Sequence, residues 1–188
     1  ADLSAGIDET LVLLGPRLRE ACIEGTKEFG ELPPVVCRAA EINQVFMNLF
    51  VNAIQALEGI PSGGDLLREI RVTTRAEKGF AVVAIADNGP GVPADIEQQI
   101  FAPFFTTKPP GQGTGLGLSI SSDIARKHGG TLALERPERS GARLVLRIPL
   151  GATAMTSARE EGRSSSPRLD ARSAEKSAAE RPKSESNA

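Results

Sequence analysis

The segment from residue 39 to residue 58 constrains the fold most; it reads AAEINQVFMNLFVNAIQALE. It combines a long helical pattern with a polar strip that is nearly uncharged. At about 100° per residue, its apolar side chains cover most of the helix circumference. They are Ile42, Val45, Phe46, Leu49, Phe50, Ala53, Ile54 and Leu57. The polar side chains fall within about 80°, and they are Glu41, Gln44, Asn48, Asn52 and Gln55. We therefore predict a helix over this segment.

The polar strip consists mostly of amides, and the residues alone leave two explanations open. A strip that faces solvent is usually rich in Lys and Glu, and asparagine is a mediocre helix former. The amides could line a surface or cap a neighbouring loop. Alternatively, Asn48 and Asn52 point their oxygens into a cleft, where neutral amide oxygens suit Mg²⁺.

Helix and strand patterns alternate over the first 150 residues. Further helices are predicted at 5–20 and 114–127, and strands at 35–38 (VVCR), 68–77 and 79–89, with a final hairpin over 131–150. We predict an α/β (α+β) two-layer sandwich, in which about three helices cover one face of a mixed, mostly antiparallel five-stranded sheet.

The last residues, 151–188, differ sharply in composition from the rest, with one Leu, one Met and no Ile, Val or aromatic residue. Ordering a chain costs about 1 to 2 kcal/mol per residue for the backbone alone, and this segment offers little apolar surface to offset that cost. We predict a folded domain over 1–150 and a disordered tail over 151–188. A stretch of the tail ordering on a partner is the alternative.

Composition excludes several classes of protein. The net charge is −2 without a clustered basic face, which argues against nucleic acid as a partner, and no apolar run approaches a membrane span. The N-terminus lacks a signal-peptide pattern, so a cytoplasmic location is expected. Cys22, Cys37 and His128 give neither a disulfide framework nor a His/Cys metal site.

Asp87 ends the apolar strand pattern AVVAIAD and is followed by a turn that contains Gly89 and Gly91. An ionised aspartate only accepts hydrogen bonds, so it suits an amino group such as N6 of adenine, and glycines let backbone approach a ring. An ordinary Asp-Asn-Gly turn would give the same pattern, so both readings stay open.

The stretch GQGTGLGLSI, residues 111–120, places glycines at alternate positions before a helix. It lacks the Lys of a Walker A loop and the spacing of the dinucleotide fingerprint. What remains is a helix N-terminus that favours an anion, with Thr114 and Ser119 as hydroxyl donors. Upstream, three Phe residues precede Thr106, Thr107 and Lys108 in a Pro- and Gly-rich stretch that predicts an anchored lid.

Taken in order, these segments resemble the ATP-binding catalytic domain of sensor histidine kinases, of the Bergerat type shared with type II topoisomerases, heat-shock chaperones of the ninety-kilodalton class and mismatch-repair ATPases. NQVFMNLFVNAIQAL matches the N box, DNGPGVP the G1 box, IFAPFFTTK the F box and GTGLGLSI the G2 box. The pattern is most similar to nitrogen-regulation-type kinases. The resemblance covers residues 1–150.

The resemblance implies a role for each matching residue. Asn52 would ligate Mg²⁺, Asn48 would lie beside the phosphates of ATP, and Asp87 would receive adenine N6. Asn48 and Lys108 are the expected catalytic residues. The other residues expected to bind the cofactor are Gln55, Gly89, Gly91, Phe101, Thr106, Thr107, Gly113, Thr114, Gly115, Leu116, Gly117 and Leu118.

The resemblance also implies the reaction, in which the γ-phosphoryl group of Mg-ATP passes to a histidine on a dimerisation domain and then to a response regulator receiver domain. Related ATPases activate water with a glutamate at the position of Asn48, whose amide is no base, so little hydrolysis is expected. His128 lies at a helix end and is expected to be structural, so the acceptor histidine, the sensor and any membrane segment lie outside this chain. A nucleotide-binding regulatory module that never transfers phosphate is the alternative.

Overall fold

The computed structural model describes residues 1–60, 67–109, 113–137 and 140–151. The predicted tail beyond Gly151 lies outside the described residues, as do Gly111 and Gln112 of the glycine-rich loop. The boundary between domain and tail therefore stays a prediction.

The described residues form one mixed five-stranded sheet in the order β1-β2-β3-β5-β4. β1 pairs in parallel with β2, and the other neighbouring strands pair antiparallel. The predicted sheet is thereby confirmed. The strands are β1 (Ile23–Phe29), β2 (Arg68–Glu77), β3 (Phe80–Asp87), β4 (Thr131–Glu135) and β5 (Arg143–Pro149).

In the described part of the chain, three α-helices accompany the sheet, together with a 3₁₀ turn over Gln99–Phe101; the helices are α1 (Leu3–Glu20), α2 (Ala39–Glu58) and α3 (Gly117–Lys127). α1 begins at an N-cap, because the carboxylate of Asp2 accepts the backbone N–H groups of Ser4 and Ala5 at 2.9 and 3.1 Å. Within the described ranges, no helix is both long and apolar enough to cross a lipid bilayer.

α2 is the central helix of the core. All eight of the apolar residues that its pattern predicts are buried, and they pack in one cluster with residues of α1, α3 and the sheet. Val82, Ala84 and Val145 form a separate small cluster on the opposite face of the sheet, with no helical residue in it. The helices therefore cover one face of the sheet, as predicted.

The strand predicted over residues 35–38 is wrong, and β1 was missed. Val35 is buried but Val36 is 85% exposed, and the described segment makes no sheet pairing there. The sequence of β1 shows no alternation of apolar and polar residues, because β1 is an edge strand in which Ile23 alone is buried. α3 also starts at Gly117, three residues later than predicted, so residues 114–116 precede the helix.

His128 joins the end of α3 to the start of α2. Its Nε2 accepts the backbone N–H of Arg38 at 3.2 Å, and its Nδ1 lies 2.9 Å from the carbonyl oxygen of Ile124, to which it donates in that tautomer. With both ring nitrogens bonded to backbone, His128 occupies a structural position, as expected.

Candidate functional site

A cavity of about 920 Å³ lies between α2, the segment that follows β3 and the segment that precedes α3. Its size falls within the range of about 300 to 1,000 Å³ that is common for small-molecule sites. The predicted site residues that line it are Asn48, Asn52, Gln55, Gly91, Thr106, Thr107, Lys108, Gly113, Thr114, Gly115, Gly117 and Leu118. The fold therefore brings side chains from separate parts of the chain to one concave surface.

Four predicted residues do not line this cavity directly. Asp87 and Gly89 lie on the chain just before Gly91, which does line it. Phe101 packs against the hydrophobic core. The carbonyl of Leu116 accepts the N–H of Ile120 at 2.9 Å and so caps the start of α3. Their contacts with a ligand stay predictions.

The amides of α2 form the polar wall of the cavity. Asn48, Asn52 and Gln55 are half-buried and follow one another at about one helical turn. Val51 and Ala56 line the cavity beside them. Of the two explanations for the polar strip, this orientation favours a strip that points into a cleft.

The amide of Asn48 is already engaged on its nitrogen side. Its Nδ2 donates to the carbonyl oxygen of Gly117 and to Oγ of Ser121, both at 3.1 Å. Among the described residues, no protein donor bonds to Oδ1. Asn48 therefore offers its amide oxygen, a hydrogen-bond acceptor, to the cavity.

The Asp87 carboxylate is held by backbone on one oxygen. Oδ1 accepts the N–H groups of Gly89 at 2.9 Å and Ala142 at 3.3 Å, whereas Oδ2 has no hydrogen-bond partner among the described residues. Burial raises the pKa of Asp87, and these two backbone donors oppose the rise. The remaining oxygen is free to accept from a ligand amino group.

Gly141, in the β4–β5 connection, holds the backbone at Asp87 and was missed by sequence reasoning. Its φ is +113°, and a Cβ there would stand 1.8 Å from the carbonyl oxygen of Asp87. A Cβ on Gly91, whose φ is +77°, would in turn lie 2.8 Å from the carbonyl oxygen of Gly141. Only glycines allow the three backbones to meet this closely.

Lys108 reaches from the segment before α3 across to α2. Its Nζ donates to Oε1 of Gln55, and its backbone N–H donates to Oγ1 of Thr106 at 3.2 Å. Burial lowers the pKa of Lys108; the charge of Arg17 lowers it further, and Glu58 opposes the shift. The Lys108 ammonium is half-buried and has no carboxylate hydrogen-bond partner among the residues that the structure describes, which suits it to an anionic ligand.

Apolar side chains form a wall of the cavity opposite the amides. The sequence analysis predicted only part of this wall. Val92, Ile96, Ile100 and Phe105 line the cavity, whereas the expected residue was Phe101. The spacing of Ile96 and Ile100 in PADIEQQI, one helical turn apart, was the available signal. Such a wall can cover the faces of a flat ring.

Comparison with known families matches residues 37–152 to the model described as "Histidine kinase-, DNA gyrase B-, and HSP90-like ATPase". Among curated proteins, the two-component sensor PprA of Pseudomonas aeruginosa is 40% identical over 156 residues, which are 81% of this chain and 17% of that protein. Sensor histidine kinase ZraS of Escherichia coli O157:H7 is 38% identical over 125 residues, 65% of this chain and 25% of ZraS. The chain thus spans a quarter or less of these two relatives.

Solved structures give the same fold. The catalytic domain of histidine kinase ThkA is 33% identical with a TM-score of 0.67, over 79% of this chain and 93% of that one. ThkA in complex with the response regulator TrrA is 29% identical with a TM-score of 0.64, over 79% of this chain and 40% of that one. Full-length ShkA with AMPPNP is 26% identical with a TM-score of 0.68, over 79% of this chain and 30% of that one.

Proposed function

The chain belongs to the histidine kinase-, DNA gyrase B- and HSP90-like ATPase family, and from that premise we propose that it holds Mg-ATP in the cavity and presents the γ-phosphoryl group to a histidine. That histidine would lie on a dimerisation domain outside the chain, and a response regulator receiver domain would take the phosphoryl group next. The supporting observation is the convergence of α2 amides, lid residues and the glycines before α3 on one cavity.

In this proposal, different residues bind different parts of the nucleotide. The free oxygen of Asp87 would accept from adenine N6, and the apolar wall with Phe105 would cover the ring. Lys108 and Thr106 in the lid would bind the terminal phosphates, and the N-terminus of α3 would add the positive end of its dipole. Each of these groups binds or orients the nucleotide, which is the main requirement of phosphoryl transfer.

The cavity favours transfer over hydrolysis. Among the described residues, none of those that line it is Asp, Glu or His. Activation of water needs a general base within hydrogen-bond reach, and the amide of Asn48 is not basic enough to take a proton from water. The γ-phosphoryl group would therefore wait for a nucleophile from another domain.

Asn52 fits the role of magnesium ligand. In the described ranges, no group of three or more His, Cys, Asp or Glu side chains is arranged to hold a metal. Mg²⁺ commonly keeps several waters and binds through one or two protein oxygens and substrate phosphates, so one amide oxygen is a suitable donor set. When bound, the ion would neutralise charge on the phosphates.

Asn52→Ala is expected to lower Mg-ATP affinity about tenfold, roughly the value of one charge-assisted contact, and to leave ATP affinity in EDTA unchanged. Titration calorimetry under both conditions measures the difference. Asn43→Ala is the matched control, since Asn43 lies on the same helix but outside the cavity lining. An equal loss with and without magnesium would remove Asn52 as the ligand.

Lys108→Met is expected to lower ATP affinity about tenfold through loss of a charged contact to phosphate, with a smaller effect on ADP. The unfolding free energy should stay the same or rise. Burial lowers the pKa of Lys108, so the charged side chain destabilises the folded domain at pH values below the folded-state pKa. This destabilisation decreases as the pH rises through the folded-state pKa. Lys127→Met, an exposed site on α3, is the control. Unchanged ATP affinity in Lys108→Met would contradict the phosphate contact.

The transfer itself is tested with γ-labelled ATP and a separately expressed cognate dimerisation domain, whether that domain belongs to the same protein or to another. We expect label on histidine, stable to base and labile to acid, and little free phosphate without that domain. Tight ATP binding without labelled histidine would favour the alternative, a regulatory module that binds nucleotide and never transfers phosphate.

A further inference from the structure

We propose that Ser121 is a positioning residue that fixes which atom of Asn48 faces the bound nucleotide. Ser121 lies on α3 and is 0% exposed, and it does not line the cavity. Its Oγ accepts from Nδ2 of Asn48 at 3.1 Å and donates to the carbonyl oxygen of Gly117 at 2.8 Å. Nothing about its residue type marks it as part of a site.

The three groups form a closed hydrogen-bonded triangle between α2 and α3. Nδ2 of Asn48 donates to the same Gly117 carbonyl that Ser121 contacts, also at 3.1 Å. The amide nitrogen faces both acceptors, so rotating the Asn48 amide by half a turn would place its oxygen against the Gly117 carbonyl oxygen and break two bonds. Ser121 thereby keeps Oδ1 of Asn48 as the atom open to the cavity.

An outward-facing oxygen has a chemical consequence. A phosphate oxygen is itself an acceptor, so Oδ1 cannot hydrogen-bond to it directly, whereas a cation or a water on that cation complements Oδ1 well. Asn48 therefore acts toward the magnesium side of Mg-ATP, and Ser121 controls that action through the amide. This inference rests on the proposed binding of Mg-ATP.

The test compares ATP affinity with Mg²⁺ and with EDTA in four variants. Ser121→Ala and Ser121→Val remove the hydroxyl, and we expect each to lower Mg-ATP affinity about fivefold, as the loss of one net hydrogen bond implies, with affinity in EDTA unchanged. Ser121→Thr adds the same branch as Val but keeps the hydroxyl, so it should retain the wild-type magnesium dependence. Ser119→Ala is the matched control.

Ser119 is a close match because it is also buried on α3 and, contrary to the sequence expectation of a ligand-facing hydroxyl, does not line the cavity. Its Oγ donates to the carbonyl oxygen of Leu116, the residue just before the helix, at 2.9 Å and makes no hydrogen bond to Asn48. A purely structural role for Ser121 would lower affinity equally in both conditions and follow the loss in melting temperature. That result, or wild-type magnesium dependence in Ser121→Val, overturns the inference while the proposed function stands. Absence of ATP binding by the wild-type chain would overturn both.

Discussion

Replacing Asp87 with asparagine is expected to weaken ATP binding at least about a hundredfold. The carboxylate oxygen that would accept a hydrogen bond from adenine N6 is replaced by an NH₂ group, so two buried donors face each other and neither has a partner. Asparagine keeps an oxygen for the N–H groups of Gly89 and Ala142, so the turn should be preserved. It then directs its NH₂ group at adenine N6. Titration calorimetry with Mg-ATP measures the loss.

The same variant should be as stable as the wild-type domain or more stable. Burial raises the pKa of Asp87, so the folded state favours the protonated form, and ionisation becomes a cost to stability as pH rises through that pKa. Chemical denaturation without nucleotide at neutral pH should therefore show an unfolding free energy that is unchanged or higher. A loss of both stability and affinity would indicate a structural role for Asp87.

Asp95→Asn is the matched control, since Asp95 is an exposed carboxylate in the segment after β3. The change in charge is identical, so long-range electrostatics are held constant, and we expect ATP affinity to be unaltered. Unchanged affinity in Asp87→Asn itself would remove Asp87 from the site.

Gly141→Ala is expected to destabilise the domain by about 2 to 6 kcal/mol, the sum expected for backbone strain and overpacking. The methyl group would collide with the Asp87 carbonyl, and φ of +113° is rarely adopted by a residue with a Cβ. Because the Asp87 backbone must shift, ATP affinity should fall as well. Thermal and chemical denaturation measure the first effect and calorimetry the second.

Gly25→Ala separates this effect from the general cost of replacing a glycine. Gly25 lies in edge strand β1, and a Cβ there meets nothing within 4 Å. The unfolding free energy of the Gly25→Ala variant should differ from that of the wild type by less than about 0.5 kcal/mol, as is usual for surface sites. Equal stability of the two alanine variants would be inconsistent with the close packing of Gly141 on Asp87.

Features of the fold that follow from local periodicity could be predicted from the sequence. The helical period places Asn48, Asn52 and Gln55 on one strip, and the structure turns that strip into the cavity. The alternation in β2 and the continuous apolar run in β3 predicted two strands, and the structure pairs them antiparallel with Glu77 opposite Phe80. In each case a single segment carried enough information, because burial of one face sets both period and orientation.

Features that depend on contacts between distant segments could not be predicted. β1 has one buried residue, so its place at the sheet edge follows from pairing with β2 and leaves no pattern in its own sequence. Gly141 reads as an ordinary turn glycine until Ala142 is found bonded to Asp87, fifty-five positions earlier. The role proposed for Ser121 likewise depends on the packing of α3 on α2, which brings its hydroxyl to Asn48.

The central claim is that this cavity binds Mg-ATP, and calorimetric titration of Mg-ATP into the chain tests it most directly. We expect saturable binding at a single site with a dissociation constant below about 1 mM, the upper end of the usual range for enzymes and their substrates. The same titration into Asp87→Asn should give no comparable signal. Absence of binding to the wild-type chain at several times that concentration, or equal binding to both proteins, would contradict the account.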